Sequence, residues 1–517
     1  MKRIYYFASL LLLVLAISSC SDYLNKAPEN VVPSSSIDYT NLSDMYQPVS
    51  GIYRVAGLAS PGLIHWMDFG IREIRGDEFD KGSSAGDQST LTDIKFFHYS
   101  YASVQSFWGT NNSWNDYYGL IIDCNSALTE LTKFATNISS GDATNQKLNL
   151  QYQAEVRFIR AYTLLLATRV FGAVPILTDN STNATIGVSS VTAVKTFISN
   201  EMDFCSANLE DARPNQSVHV GAVTKYAALL LKAKVLADLA GNDNSNSNWS
   251  TVLSLTNQII SSGKFSLYAD YYQLFKKPGK MCNESMFELQ FSDFGTSSGD
   301  AVEPDAFFAF QGPRGDQHGS YISGWGFMNP SQSYVSFLQN RNDSVRLKTT
   351  VLFCNTQTMT SGKYAGVKFA VTPSNDTIWN NTDGLNYFNG KAYLPTSQMT
   401  AGRTDYGENN NVRVLRYAEV LLLNAEAAIR MGQSGDVSLN LVRNRVKLNS
   451  ITGATLQNVL DERRAELGCE WWGERFNDLI RTGQAATVLS SFGFVAGQSE
   501  YIPIPQAQIV LDTNLGK

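Results

Sequence analysis

The chain has 517 residues, of which 43% are hydrophobic and 17% charged, a composition typical of a globular protein and not of a disordered one. Its length is enough for one large domain or for two or three smaller ones. The net charge of −6 and the lack of a Lys/Arg run after the N-terminus argue against nucleic acid as a partner.

The first twenty residues have the pattern of an export signal. Lys2 and Arg3 precede an almost wholly apolar stretch, 4–17, which has the length of a signal-peptide core and is short for a membrane span. An aliphatic residue and two small ones then precede Cys20, which resembles a bacterial lipobox, where the cysteine carries acyl chains such as palmitate. We predict a lipoprotein signal peptide at 1–19 and a lipid anchor on Cys20. An ordinary secretory signal with a chance cysteine is the alternative.

A segment rich in Pro, Ser and Asn follows, and we predict that 20–40 is a tether. Beyond it, apolar residues recur at helical spacing, and most of these segments end at a glycine. This pattern predicts helices at about 41–55, 152–171, 224–240, 249–261, 417–431 and 456–482. Five cysteines remain after Cys20, none of them in a CxxC pair, which favours buried thiols over a disulfide framework.

Two of the predicted helices resemble each other. Tyr226-Ala227 and Tyr417-Ala418 each begin a Leu- and Ala-rich helix that ends at a glycine fifteen positions after the tyrosine. Small alanines let helices pack closely, and short glycine-ended connections are typical of tetratricopeptide-like hairpins. We predict a mostly α-helical fold built from such hairpins. The alternative is a chance similarity of two Ala-rich helices.

The segment from about 264 to 410 has a different composition. It is rich in Gly, Ser, Asn and Pro and contains short strand-like pieces such as 285–291. We predict a loop-rich insert with short strands between two parts of the helical scaffold, about 41–263 and 411–490. Long loops on a rigid frame are where binding residues usually lie.

The sequence contains no strong catalytic or metal-binding signal. Its four histidines are far apart, and no HExxH motif or Cys/His cluster predicts a metal or a cofactor. The stretch Gly82 to Gly86 matches GxSxG, but charged residues precede it where a nucleophile elbow needs an apolar strand. We therefore predict a protein that is not an enzyme and has no catalytic residues.

The stretch CEWWGERFNDLIRTG contains two adjacent tryptophans that could stack on a sugar or pack in a core. One apolar stripe at i, i+4, i+7 and i+8 is formed by Trp472, Phe476, Leu479 and Ile480. Because large aromatic residues at helical spacing usually pack in a core, we favour a structural role for the pair. Gly473 predicts a bend or break of the helix, and the charged residues between predict ion pairs along its other faces.

Six segments carry a recognisable pattern. They are AEVRFIRAYTLLLATRVFGAVPIL (154–177), VTKYAALLLKAKVLADLAG (223–241), ESMFELQFS (284–292), RYAEVLLLNAEAAIRMG (416–432), LDERRAELGCEWWGERFNDLIRTG (460–483) and YIPIPQAQI (501–509). In this order, together with CSDYLNKAP after the signal, they resemble the SusD/RagB-like family of outer-membrane nutrient-binding lipoproteins of Bacteroidetes. The resemblance covers nearly the whole mature chain.

The resemblance implies one SusD-like domain at 41–517, whose helical hairpins form a right-handed superhelical scaffold. It also implies a lipid-anchored protein on the outer membrane, facing the exterior, that captures an oligosaccharide. Such a protein works as the lid of a SusC-like TonB-dependent transporter. The alternatives are a family member that binds peptides and a polysaccharide-degrading lipoprotein.

Glycan binding needs aromatic rings that cover the apolar faces of sugars and polar groups that replace the water bound to their hydroxyls. Two aromatic stretches lie in segments that resemble the family's ligand-binding loops. The predicted binding residues are Trp66, Asp77 and Phe79 in the first stretch and Phe308, Arg314, Tyr321 and Trp325 in the second. The alternative for each is packing inside a loop.

Overall fold

The structure is a computed structural model and describes residues 37–180, 186–291, 307–313, 324–361, 365–366, 368–379, 386–398 and 410–516. The predicted signal peptide and Cys20 lie outside the described residues. The α-helices are α1 (Gln47–Ala56), α2 (Trp66–Glu73), α3 (Thr90–Lys95), α4 (Trp108–Ala135), α5 (Ala143–Phe171), α6 (Val191–Asn208), α7 (Lys225–Ala240), α8 (Asn248–Ser261), α9 (Tyr271–Leu274), α10 (Phe307–Gln311), α11 (Gln332–Asn340), α12 (Ser344–Thr350), α13 (Tyr417–Arg430), α14 (Asp436–Arg445), α15 (Leu456–Leu467), α16 (Glu474–Arg481), α17 (Ala485–Val488) and α18 (Gln506–Leu511). The strands are β1 (Phe79–Gly82), β2 (Ser285–Leu289), β3 (Phe327–Pro330), β4 (Val351–Phe353), β5 (Gln357–Thr358), β6 (Lys368–Val371), β7 (Thr377–Trp379), β8 (Tyr387–Asn389) and β9 (Val412–Arg416).

Successive helices pack side by side and form the scaffold. Helix α4 packs against α5, α5 against α6, α6 against α7, and α7 against α8. Helix α8 then packs against α13, so the chain leaves the scaffold after α8 and returns to it at α13. Short connections make such neighbours antiparallel hairpins. The prediction of a mostly α-helical fold with tetratricopeptide-like hairpins is confirmed.

Helix α5 shows how local sequence sets the limits of a scaffold helix. The Asp142 side chain accepts a hydrogen bond from the Asn145 N–H at 3.0 Å, which caps the first turn. The helix ends at Gly172, whose φ of +77° brings its Cα so close to the Tyr501 ring that a Cβ would lie 2.7 Å from it. The helix begins at Ala143, nine residues before the predicted start at 152. The prediction began too late because the first turns are polar and show no apolar periodicity.

The predicted helix at 456–482 is two helices. Helix α15 ends at Leu467, and α16 begins at Glu474. Between them, Cys469 and Gly473 have positive φ angles of +59° and +71°, which a continuous right-handed helix excludes. The break predicted from Gly473 is thus confirmed, and it extends over six residues.

The insert contains small antiparallel sheets among loops. Strand β2 pairs with β9, so that Ser285 lies opposite Arg416 just before α13 begins. Strand β3 pairs with β1, with Phe327 opposite Gly82, and this ties the insert to the segment after α2. The remaining strands of the described residues form a β4–β8 pair and a β5–β6–β7 sheet. The predicted strand at 285–291 is confirmed in position and ends two residues earlier.

Buried ion pairs join the scaffold to the insert. Glu466 on α15 lies 2.9 Å from Arg346 and 3.0 Å from Arg416, and it also pairs with Arg445. Burial alone raises the pKa of Glu466, but the three guanidiniums outweigh burial and lower the pKa well below its usual range. The predicted ion pairs of this region therefore exist, but they are buried between elements and do not lie on an exposed helix face. These ion pairs connect helix α15 of the scaffold to helix α12 of the insert.

Candidate functional site

Three tryptophans from distant parts of the chain form an aromatic surface, called here the tryptophan cluster: Trp66, Trp108 and Trp325. The ring centroids of Trp66 and Trp108 lie 5.7 Å apart, and those of Trp66 and Trp325 lie 5.4 Å apart with planes at 83°. Trp108 is 43% exposed, and the other two rings are partly buried. The cluster therefore offers large apolar faces at the surface.

Two helix starts position the cluster. Trp66 and Trp108 are the first residues of α2 and α4, which pack against each other. Because helical side chains tilt towards the N-terminus of their helix, both rings lie over the beginnings of these helices. Behind them is the fully buried Phe310, whose centroid is 5.1 Å from that of Trp66, and Phe310 stacks on Phe327 at 4.8 Å. The cluster thus has a rigid aromatic support.

Backbone hydrogen bonds hold Trp325 beside the two helices. The Trp325 N–H donates to the Ala309 carbonyl at 2.6 Å, and the Gly326 N–H donates to the Gly312 carbonyl at 2.9 Å. A Cβ on Gly324 would lie 2.5 Å from the Cα of Gly312, so this close approach requires glycine. These hydrogen bonds therefore hold the two described ends of the loop, 309–312 and 324–326, next to each other.

Polar groups lie directly beneath the cluster. The His65 ring centroid is 6.3 Å from that of Trp108, and His65 Nδ1 is 3.7 Å from Asp116 Oδ2. The Ser60 hydroxyl donates to the other Asp116 carboxylate oxygen at 2.6 Å. Burial, aided by the nearby charge of Asp68, raises the pKa of Asp116 to about 7, and burial lowers the pKa of His65. Near pH 7 the His65 ring is thus mostly neutral, and the Asp116 carboxyl is about half ionised.

Trp66 and Trp325 are the two predicted binding residues that the structure brings together. The side chains of Phe308, Arg314 and Tyr321 lie outside the described residues.

Asp77 and Phe79 do not reach the cluster. The Asp77 carboxylate is 2.8 Å from both Arg475 and Arg464. Burial raises the pKa of Asp77, but the hydrogen bond and charge of Arg475, with the charge of Arg464, outweigh burial and lower it. Phe79 is fully buried, edge to face with Phe69. The Phe79 ring has no exposed face with which to cover a sugar. The Asp77 carboxylate is already paired with two arginines. Neither residue is therefore part of the tryptophan cluster.

Trp108 is the residue that the sequence prediction missed. Its stretch, SFWGTNNSW, has no apolar periodicity, and helix α4 was not predicted. An aromatic residue among small polar ones at a helix start was the signal available.

The adjacent tryptophans Trp471 and Trp472, called here the tryptophan pair, are buried, at 4% and 3% exposure. Trp472 Nε1 donates to the Arg413 carbonyl at 2.7 Å, and its ring centroid lies 5.7 Å from that of Tyr162. The favoured structural role agrees with this burial. The predicted helical stripe is wrong, because Trp472 precedes α16 and joins the main core, whereas Phe476 packs in a separate, smaller cluster.

None of the described helices is both long and apolar enough to span a membrane. Within the same residues, no group of three or more His, Cys, Asp or Glu side chains is arranged to hold a metal ion.

Comparison with known proteins identifies the family. The profile of the SusD family matches residues 240–517, which is more than half of the chain. SusD-like protein P25 of Formosa agariphila is 23% identical over 313 residues, 57% of this chain and 54% of that protein, so the chain spans about half of that relative's length. A SusD-like protein of Bacteroides ovatus is 22% identical over 481 residues, 88% of this chain and 79% of that protein.

A solved structure shares the fold. Surface glycan-binding protein A from Bacteroides thetaiotaomicron, in complex with laminarihexaose, superposes with a TM-score of 0.72 at 22% identity, covering 90% of this chain and 97% of that one. With the profile match over more than half of its length, the chain belongs to the SusD family.

Proposed function

We propose that the protein is a cell-surface glycan-binding lipoprotein and that the tryptophan cluster is where it binds an oligosaccharide. One observation carries the proposal: three tryptophan rings meet at the surface, two of them at helix starts and the third on a loop, and the Trp108 ring is 43% exposed. Sugar rings have apolar C–H faces that such rings cover. Rings set at steep angles to one another suit a curved chain of sugars better than a flat one.

Two structural neighbours support a glycan as the ligand class. One is the glycan-binding protein solved with laminarihexaose. The other is a laminarin-binding SusD-like protein, which superposes with a TM-score of 0.72 at 21% identity. The loops that carry ligand contacts diverge in this family, so laminarin itself is only the first oligosaccharide to test.

Calorimetric titration with laminarihexaose and other neutral oligosaccharides tests the proposal. Trp108→Ala should weaken binding about tenfold, equal to about 1.4 kcal/mol, because it removes the most exposed face of the cluster. Phe96→Ala is the matched control, since Phe96 is 36% exposed but packs on Phe492, away from the cluster. Equal loss in both variants, or saturable binding of peptides from a library with none of any oligosaccharide, contradicts the proposal.

Anchoring at Cys20 is part of the proposal. Several acyl chains on one cysteine hold a protein on a membrane, since each buried methylene contributes about 0.8 kcal/mol. Palmitate labelling in cells should mark the wild-type chain and not Cys20→Ser, and the variant should leave the membrane fraction. A wild-type chain that is unlabelled and freely soluble contradicts the anchor.

We further propose that the protein closes as a lid over a SusC-like TonB-dependent transporter and passes the glycan inward. Binding must then be weak enough for release, because a lid that held its ligand tightly would block transport. Copurification of the tagged protein from outer membranes should bring down a transporter barrel. Recovery of the lipoprotein alone under mild detergent contradicts this partnership.

The proposal is of a binding protein without turnover. The Asp116 carboxylate lies 3.7 Å from His65 beneath the cluster and has a pKa raised to about 7, so it is the residue on which an acid-catalysis alternative would depend. Incubation of each bound oligosaccharide should release no new reducing ends. Release that Asp116→Asn abolishes would overturn the non-enzymatic assignment.

A further inference from the structure

A cavity of about 310 Å³ lies at the other end of helix α2 from the tryptophan cluster. Parts of α5, α7 and α16 line it, and it extends to the first turn of α6. Among the described residues, cations outnumber carboxylates in its lining. The cations are Arg72, Arg75, Arg169, Lys195 and Arg481.

Several of these cations are compensated by carboxylates. Asp238 lies 3.4 Å from Arg169 and 3.5 Å from Lys195. Arg481 is held at 2.7 Å by both Asp478 and Glu426. Arg169 also lies 2.8 Å from Glu474, so Arg169, Lys195 and Arg481 each have a carboxylate partner.

Arg75 is the exception. It is buried, and among the described residues its guanidinium bonds to backbone carbonyls and forms no salt bridge. Its guanidinium donates to the backbone carbonyls of Arg169, at 3.1 Å, and Glu500, at 3.3 Å, and lies 4.5 Å from the Phe476 ring centroid. Burial lowers the pKa of Arg75, because a buried cation is costly, and the nearby Tyr99, Tyr117 and Glu73 offset the burial only in part.

Arg72 adds unused donors to the same lining. Its Nη1 pairs with Asp68, but its Nε and Nη2 have no hydrogen-bond partner among the described residues, although the side chain is buried. Buried donors are normally satisfied, so two unsatisfied ones on a cavity wall indicate a missing acceptor.

The start of α6 also presents hydrogen-bond donors to the cavity. Val191 and Thr192, its first two residues, line the cavity, and Ser190 caps only the Ala193 N–H. The first N–H groups of a helix have no partner within the helix and carry its positive dipole end. A negatively charged acceptor in the cavity would accept hydrogen bonds from the arginines on one side and from the free N–H groups of α6 on the other.

We propose that this cavity binds a small oxyanion, a carboxylate, sulfate or phosphate group, opposite Arg75 and the first turn of α6. A volume of about 310 Å³ is at the lower end for small-molecule sites, so it suits a free ion or one acidic sugar and not a glycan chain. The site shares no residue with the tryptophan cluster and does not depend on glycan binding there. Trp66 and Arg72 nevertheless lie on the same helix, α2.

A matched pair of variants at the exposed Thr192 tests the site without disturbing the core. Thr192→Asp places a negative charge at the cavity, and Thr192→Asn has the same shape without the charge. Sodium sulfate, sodium phosphate and glucuronate are titrated calorimetrically at constant ionic strength, with glucose as the neutral control. Wild type and Thr192→Asn should bind at least one of the anions saturably, and Thr192→Asp should bind it about fivefold more weakly or worse.

The three ligands also distinguish the source of the anion. Binding of sulfate or phosphate supports a free ion as occupant, and binding of glucuronate alone supports an acidic sugar. The absence of saturable binding to wild type, equal affinity of the two Thr192 variants, or equal binding of glucose overturns the proposal. Arg75→Gln should lose binding while keeping its circular dichroism spectrum. If that variant does not fold, the Thr192 pair still decides the question.

Discussion

Trp108 in the tryptophan cluster is 43% exposed, whereas Trp471 and Trp472 of the tryptophan pair are 4% and 3% exposed. The two residues of the pair are adjacent in sequence, a pattern that could indicate a sugar-stacking surface. In the structure, however, the Trp472 indole N–H donates a hydrogen bond to a backbone carbonyl inside the core. The cluster brings together rings from three distant segments and keeps faces at the surface. Exposure after folding, and not proximity in sequence, therefore decides whether a tryptophan ring is available to a ligand or packs in the core.

The largest expected effect is on stability at the pair. Trp472→Ala should lower the free energy of unfolding by about 3–5 kcal/mol, since it leaves a large cavity in the main core. Trp108→Ala should lower it by about 1 kcal/mol or less, because much of that ring is already in water. Urea unfolding of both variants measures the difference. Similar losses in the two would erase the distinction between pair and cluster.

The next effect is on binding at the cluster. Trp325→Ala should weaken binding of the best oligosaccharide about tenfold, with little change in melting temperature, because the ring is only partly buried and lies against Trp66 and Phe310 at the edge of the core. Calorimetric titration and a thermal melt on one sample measure both. A large fall in melting temperature as the main result would place Trp325 with the packing rings.

The smallest effect is a pH dependence beneath the cluster. The pKa of Asp116 is about 7 in the folded chain, raised above its ordinary value of 3.8 mainly by burial. Between about pH 4 and 7 the folded chain therefore holds a proton that the unfolded chain has released, and this stabilisation is lost as the pH rises through 7.

Asp116→Asn cannot lose that proton. Between pH 6 and pH 7 its free energy of unfolding should gain about 1 kcal/mol relative to wild type. The pKa of Glu78 is also about 7, but Glu78 is present in both chains and cancels in the difference. Parallel pH profiles for the two proteins would show that Asp116 is ionised throughout.

Local patterns were sufficient for much of the scaffold. The apolar spacing of α7 and α13 and the glycines that follow them predicted both helices to within one residue, because each signal is contained in the helix itself. Helices α4 and α6 were missed, since their polar and aromatic residues break that spacing. The order of the six family-like segments indicated the family, which the profile match then showed.

The tryptophan cluster could be predicted only in part. Trp66 and Trp325 were chosen from two separate aromatic stretches, and only the fold shows that their rings meet. Asp77 and Phe79 were chosen with them but are buried against arginines and a phenylalanine that no local pattern reveals. Arg475, which holds Asp77, lies 398 positions along the chain from it.

The sequence by itself determined the helical scaffold, the loop-rich insert and the family, because periodicity, caps and ordered motifs are properties of short segments. Only the tertiary structure decided which aromatic rings remain at the surface and which cations lack a counter-charge. Exposure and charge compensation depend on every element packed around a side chain, and those elements come from residues hundreds of positions apart.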